Sequence, residues 1–283
     1  MAECMVVFLN GKFLPEAEAT VSLYDRGFLL GDGLFETVRV AGGRAFRLAQ
    51  HLERLGRGAN CFKIPLPCSP KEIQNFAAEL IHKNDSAEAV LRLTLTRGIG
   101  PRGYTIRGAN CPTFAMTLHP LPPHSDHEPL QWSLITSSYR IPGSDALGVH
   151  KSSSKILNVL ARAEAEEKGA DEALLINTNG EVAETAGGNL FWIYQGMVCT
   201  VPTGRGILPG ITRAVVLEIC QSLGLKTNKR VIKPEMLRKA EGIFVTQSAL
   251  GIIPVAALDG LPVAPSPLVD QIATVYNQLL RAE

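Results

Sequence analysis

Two lysines, Lys151 and Lys155, bracket a run of serines in "HKSSSKILNVL", directly ahead of an apolar-periodic stretch carrying Ile156, Leu157, Val159, Leu160, Ala163 and Ala165. Helical spacing is the reading of that stretch, with Ser152, Ser153 or Ser154 as its cap and Gly169 at its end. An ammonium just ahead of a helix faces the positive end of the macrodipole, which favours the neutral amine. A neutral amine is the nucleophile that condenses with a carbonyl. A solvated surface charge is the ordinary alternative, and the dipole bears on the two lysines alike.

Three further groups supply other chemistry. In "GEVAETAGGNLFW", Glu184 follows a hairpin strand and precedes Gly187-Gly188, where a carboxylate either pairs with a protonated ring nitrogen or ends the strand at a surface turn. "LPGITRAVVLEICQSLG" sets a Pro-Gly turn before Thr212, so the backbone N–H groups of Ile211 and Thr212 and the threonine hydroxyl form either a phosphate-sized anion site or an ordinary capped helix. "RLAQHLERL" places Arg54 three residues after His51, as a forked phosphate donor or part of a solvated face. An amine, a carboxylate and an anion cradle are what pyridoxal phosphate needs.

The elements that must position these groups fall into two halves. "MVVFLNGKFL" reads as a hairpin turning at Asn10-Gly11, and "LFETVRVAGGRAFRL" as another at Gly42-Gly43. Between them lies the glycine-punctuated loop "YDRGFLLGDG". Residues 47–61 and 70–83 have helical spacing, and "AVLRLTLTRG" and "PTFAMTLHPL" alternate as strands. The pattern predicts a small α+β domain over 1–118, a proline-rich linker over 119–130 and a larger domain over 131–283. The second carries the strand "WSLITSSYRI", the helix after the lysines, a hairpin at Asn179-Gly180, "NLFWIYQGMVCTV", a helix from about 212 to 223 and "GIFVTQSALGIIPVAAL".

Composition narrows the function classes. The chain has 283 residues, 46% hydrophobic and 19% charged, enough for a sizeable core, and Lys plus Arg number 28 against 27 Asp plus Glu. A net charge of +1 argues against a nucleic-acid or anionic-membrane partner, and no run has membrane-spanning length. Cys4, Cys61, Cys68, Cys111, Cys199 and Cys220 are scattered without pairs, the pattern of reduced thiols in a cytoplasmic protein. His119, His124 and His127 lie in the proline-rich segment without a helical HExxH arrangement, so no metal site is expected.

The sequence resembles the fold-type IV (class IV) pyridoxal-phosphate enzymes, a family that includes branched-chain and D-amino-acid aminotransferases and aminodeoxychorismate lyases. The likeness runs from "DRGFLLGDGLFETVRV" through "RLAQHLERL", "RGIGPRGY", the Lys151 stretch, "GEVAETAGGNLFW" and "LPGITR" to "TQSALGIIPV", nearly the whole chain in the family's order. It implies a two-domain fold, α+β and α/β, with the cofactor in the cleft between a small N-terminal and a larger C-terminal domain, and a homodimer. It implies that Lys151 binds the cofactor aldehyde and shuttles the proton, while Lys155 falls within the following helix. Glu184 then matches the carboxylate at the pyridine nitrogen, and Arg54, Ile211, Thr212 and Ser248 match phosphate contacts.

The resemblance leaves two activities. "RGIGPRGY" and "SALG", with Ala249, are similar to lyase segments that release 4-aminobenzoate and pyruvate from aminodeoxychorismate. "LPGITR", "GLFETVRV" and the Lys151 helix are similar to aminotransferase segments. In D-amino-acid aminotransferases an arginine and a histidine trap the substrate carboxylate; Arg102 fits the arginine, and Tyr104 replaces the histidine. The favoured expectation is amino transfer between an amino acid, of D type, and a 2-oxo acid, with Arg102 at the carboxylate and Tyr104 and Phe35 lining the pocket. A solvated loop arginine is the plain alternative for Arg102. A metabolite-binding protein that lost catalysis would lack Lys151 or Glu184; both are present.

Overall fold

The structure is a computed structural model and describes residues 5–122, 130–144 and 146–283. The chain divides into two compact units, one running up to Leu121 together with His150–Ser154 and Glu283, the other comprising Pro122–Val149 and Lys155–Ala282. Most of the expected linker, with His124 and His127, lies outside the described residues, as does Cys4.

In the first unit the strands are β1 (Val6–Leu9), β2 (Lys12–Pro15), β3 (Gly33–Ala41), β4 (Arg44–Ala45), β5 (Ala89–Thr96) and β6 (Thr113–His119). They form one antiparallel sheet in the order β2-β1-β6-β5-β3-β4. Both expected hairpins turn on paired left-handed residues, Asn10 and Gly11 (φ 48° and 88°) and Gly42 and Gly43 (φ 55° and 75°), the backbone that matches the strand twist. The helices are α1 (Arg26–Leu30), α2 (Leu48–Phe62) and α3 (Pro70–Lys83). Ser69 and Glu72 close a capping box ahead of α3. Leu52, Leu55 and Ala59 of α2 and Ile73, Ala77 and Leu80 of α3 share a core with Leu34, Val38 and Val40 of β3.

The glycine-punctuated segment is more ordered than a loop. The Asp25 carboxylate accepts from Gly27 N at 2.7 Å and starts α1, while Gly31, at φ 65°, ends it.

The second unit carries β7 (Trp132–Ile141), α4 (Ile156–Glu167), β8 (Glu172–Asn177), β9 (Val182–Thr185), β10 (Asn189–Tyr194), β11 (Met197–Thr200), α5 (Ile211–Ser222) and β12 (Thr227–Lys229). After these come α6 (Pro234–Leu237), β13 (Gly242–Gln247), β14 (Gly251–Leu258), β15 (Leu261–Pro262) and α7 (Pro267–Ala282), the last a helix beyond the elements read from the sequence. The mixed sheet runs β12-β11-β10-β13-β14-β7-β8-β9, with β15 beside β14. β8 pairs in parallel with β7 and is buried along its whole length, so it reads as an unbroken apolar run between two polar ends. No helix among the described residues is long and apolar enough to cross a membrane.

One expectation is corrected by this division. The serines do not cap the helix: α4 begins at Ile156 with Lys155 at its N-cap and no side-chain cap bond. Residues 150–154 instead belong to the first unit, where Phe35 N donates to Lys151 O and Ser153 N donates to Gly33 O, both at 2.9 Å. Unpaired backbone along β3 is satisfied this way, which outweighs a serine cap. Lys155, and not Lys151, therefore faces the positive end of the helix dipole.

Candidate active site

The amine comes first. Strand-like pairing of residue 152 with Leu34 turns Lys151 beside Phe35, and its Nζ lies 4.5 Å from the centre of the Phe35 ring. Phe35 was expected in the pocket from sequence, and the structure brings it to Lys151. A second cation shares that ring: the Arg92 guanidinium carbon lies 4.2 Å from the same centre. Arg92 projects from β5, whose residue 92 pairs with Thr37 and residue 94 with Phe35. Burial pushes its pKa down, and among the described residues its guanidinium has no hydrogen bond or acidic partner. A half-buried guanidinium in that state can take an anion in its fork. Sequence reasoning missed it, although a charge inside the alternating run "AVLRLTLT" was a signal.

Arg54 is not on a solvated face. It is buried against Glu36, Nε donating to Oε1 at 2.9 Å and Nη2 to Oε2 at 2.6 Å. His51, also buried, places Nδ1 2.7 Å from the same Oε2. Burial pushes the Glu36 carboxyl up, but its bonds to Arg54 and His51 and their charges outweigh that and bring it to about 2. Burial lowers the His51 pKa; Glu36 opposes this, and the charges of Arg54 and Lys151 add to it.

A separate group assembles in the second unit. Glu184, on β9, accepts at Oε2 from the Leu208 backbone N–H and from Asn189 Nδ2, each at 3.0 Å. Asn189 also donates to Leu208 O at 2.9 Å, tying the carboxylate to the turn before α5. A Cβ on Gly210 would come within 2.0 Å of Asn189 Oδ1, so a larger residue there would displace the amide that ties Glu184 to the turn. α5 then opens at Ile211 with no side chain capping its first turn, and Thr212 is buried there. Burial pushes Arg213 down in pKa, countered by the charge of Glu184. Ser248 and Ala249 occupy the turn between β13 and β14, just past Thr246, which pairs with Asn189.

Arg102 and Tyr104 are not brought to the Lys151 group. They sit on an exposed loop, Tyr104 at 90% exposure, whose backbone is tied down by Arg26 Nη1 donating to the carbonyls of Gly103 at 2.9 Å and Pro101 at 3.2 Å.

These donors suit a phosphorylated aldehyde cofactor. The uncapped first turn of α5 offers N–H groups to an anion, and Thr246 Oγ1, buried opposite Asn189, has no hydrogen-bond partner among the described residues. A profile of the family Amino-transferase class IV matches residues 33–258. The chain is 30% identical over 283 residues to a D-alanine aminotransferase of Bacillus licheniformis, covering 99% of this chain and 98% of that one. It is also 30% identical over 256 residues to an aminodeoxychorismate lyase of Bacillus subtilis, covering 90% and 87%. A solved branched-chain aminotransferase from Thermoproteus uzoniensis, with norvaline, superposes with a TM-score of 0.92 at 27% identity over 98% of this chain and 95% of that one. The chain belongs to the class IV aminotransferases and has their fold-type IV architecture; the family's cofactor is pyridoxal phosphate.

Proposed function

We propose that this enzyme moves an amino group between an amino acid, of D type, and a 2-oxo acid. The observation that carries the reading is the Phe35 ring with the Lys151 amine and the Arg92 guanidinium both upon it, an amine and a cation suited to a carboxylate set side by side. Lys151 would hold the cofactor aldehyde, and its amine is the base placed to take the proton from the substrate's alpha carbon. Glu184, fixed by Asn189 and Leu208 N–H, is the carboxylate that would keep the pyridine nitrogen protonated. Arg54, the N–H groups of Ile211 and Thr212, the Thr212 hydroxyl and Ser248 hold the phosphate. The bound cofactor supplies an electron sink for the charge left at the alpha carbon. Arg92 orients the substrate carboxylate, a role that sequence had given to Arg102.

Arg102 and Tyr104 enter through a second copy of the chain. Leu23, Tyr24, Phe28 and Leu29 make an exposed apolar stretch at α1 in the same unit as their loop, which supports a homodimer. The five cysteines among the described residues are free, in keeping with a cytoplasmic enzyme.

The second reading is the lyase, supported by the likeness to the Bacillus subtilis enzyme and by Ala249 in "SALG". A half-reaction separates the two. The purified holoenzyme is mixed with single D- and L-amino acids and, separately, with aminodeoxychorismate, following cofactor absorbance and products. Release of a 2-oxo acid from a D-amino acid is the expected result. Silence with every amino acid, with 4-aminobenzoate and pyruvate formed from aminodeoxychorismate, overturns it in favour of the lyase.

A further inference from the structure

β3 turns Leu34, Glu36, Val38 and Val40 to one face, and all but Glu36 belong to the hydrophobic core of the first unit. Glu36 is fully buried in that row. A buried ion pair is seldom more stabilising than a well-packed apolar replacement, so core packing does not account for an ionised carboxylate at this position.

What the carboxylate does is hold Arg54. Each of its oxygens takes one guanidinium nitrogen, and two-point contact fixes the plane of the fork, which a single bond would leave free to swing. His51, one turn earlier on α2, fixes the carboxylate in its turn. Because Glu36 is ionised, the His51 nitrogen facing it, Nδ1, carries the proton.

We infer that Glu36 and His51 are positioning residues that set the direction in which Arg54 presents its guanidinium to a bound phosphate. The inference rests on Arg54 as a phosphate-holding residue, as proposed above. The chain assembles a relay from β3 through α2, in which a buried carboxylate and a neutral imidazole serve a cation that meets the ligand.

The test compares binding of pyridoxal phosphate and of pyridoxal, which lacks the phosphate, to the apoenzyme. The proteins are the wild type, Glu36→Gln, His51→Leu, His51→Gln and Arg54→Lys, with the 31P resonance of the bound phosphate as a second readout. Glu36→Gln and His51→Leu are expected to weaken pyridoxal phosphate binding by about ten- to a hundredfold, the usual range for losing a group that orients a ligand-binding side chain. Pyridoxal affinity should stay unchanged, the 31P resonance should move, and His51→Gln, which keeps an N–H donor, should recover most of the loss. Equal loss for both ligands, or no loss for either, overturns the inference. Should Glu36→Gln fail to fold, the His51 pair decides alone. Arg54→Lys separates the two levels: if it leaves the preference for the phosphorylated ligand intact, the phosphate role of Arg54 fails. If it removes that preference while Glu36→Gln and His51→Leu keep it, only the positioning role fails.

Discussion

At the level of single residues the two lysines part company. Lys151 pairs through its backbone with β3 and lies on Phe35, whereas Lys155 is the N-cap of α4. Lys151→Ala should therefore lose the visible absorbance of the lysine-linked cofactor and slow turnover by roughly a thousandfold or more, the scale of a lost general base. Lys155→Ala should keep both, and the opposite pattern would reassign the amine. Arg92→Leu should raise KM for the amino acid and the 2-oxo acid by about ten- to a hundredfold with cofactor affinity unchanged, as steady-state kinetics on both substrates would show. Glu184→Gln should retain cofactor yet lower kcat by about a hundredfold, since the amide cannot hold the ring nitrogen protonated; an unaltered kcat removes that role. Types and spacing in the sequence pointed to Lys151, Glu184 and the Gly210–Thr212 turn. They could not point to Arg92, Asn189 or Thr246, because what singles these out is missing or shared hydrogen bonding, a property of the assembled strands.

At the level of elements, hairpins and helices were legible where turn chemistry is local. Asn10-Gly11, Gly42-Gly43 and the Ser69–Glu72 box each decide their own few residues. Two features were not legible because distant partners decide them. The serines after Lys151 have good capping chemistry, but β3 supplies backbone partners. Asp25 begins α1 and at the same time accepts from the Thr96 and Thr113 hydroxyls at 2.9 and 2.6 Å, joining the helix to β5 and β6. Asp25→Ala removes all three bonds at a buried position, so denaturant unfolding should show a loss of roughly 2–4 kcal/mol. A loss confined to about 1 kcal/mol would mean the cap acts alone.

For the molecule as a whole, the buried charges set an acid limit. Burial holds His51 below its ordinary 6.5; burial also raises Glu36 and Asp32, but Arg54 and His51 bring Glu36 from 4.5 to about 2, and Arg97 and Arg26 bring Asp32 below 3.8. Each folded pKa is depressed, so each contribution is complete above the unfolded value and lost as pH falls toward the folded one. Thermal unfolding should show Tm falling first below about pH 6.5, through His51, and again below about pH 4.5, through Glu36. His51→Gln should flatten only the first step. The amine-bearing segment has a different consequence, for synthesis. Because residues 150–154 lie along β3 although the chain has by then passed through β7, a nascent chain cannot finish its N-terminal unit when that unit's last long strand leaves the ribosome. The edge of β3 waits, open, until Ser154 has emerged, so the reactive lysine is the late-arriving stitch in an otherwise early fold.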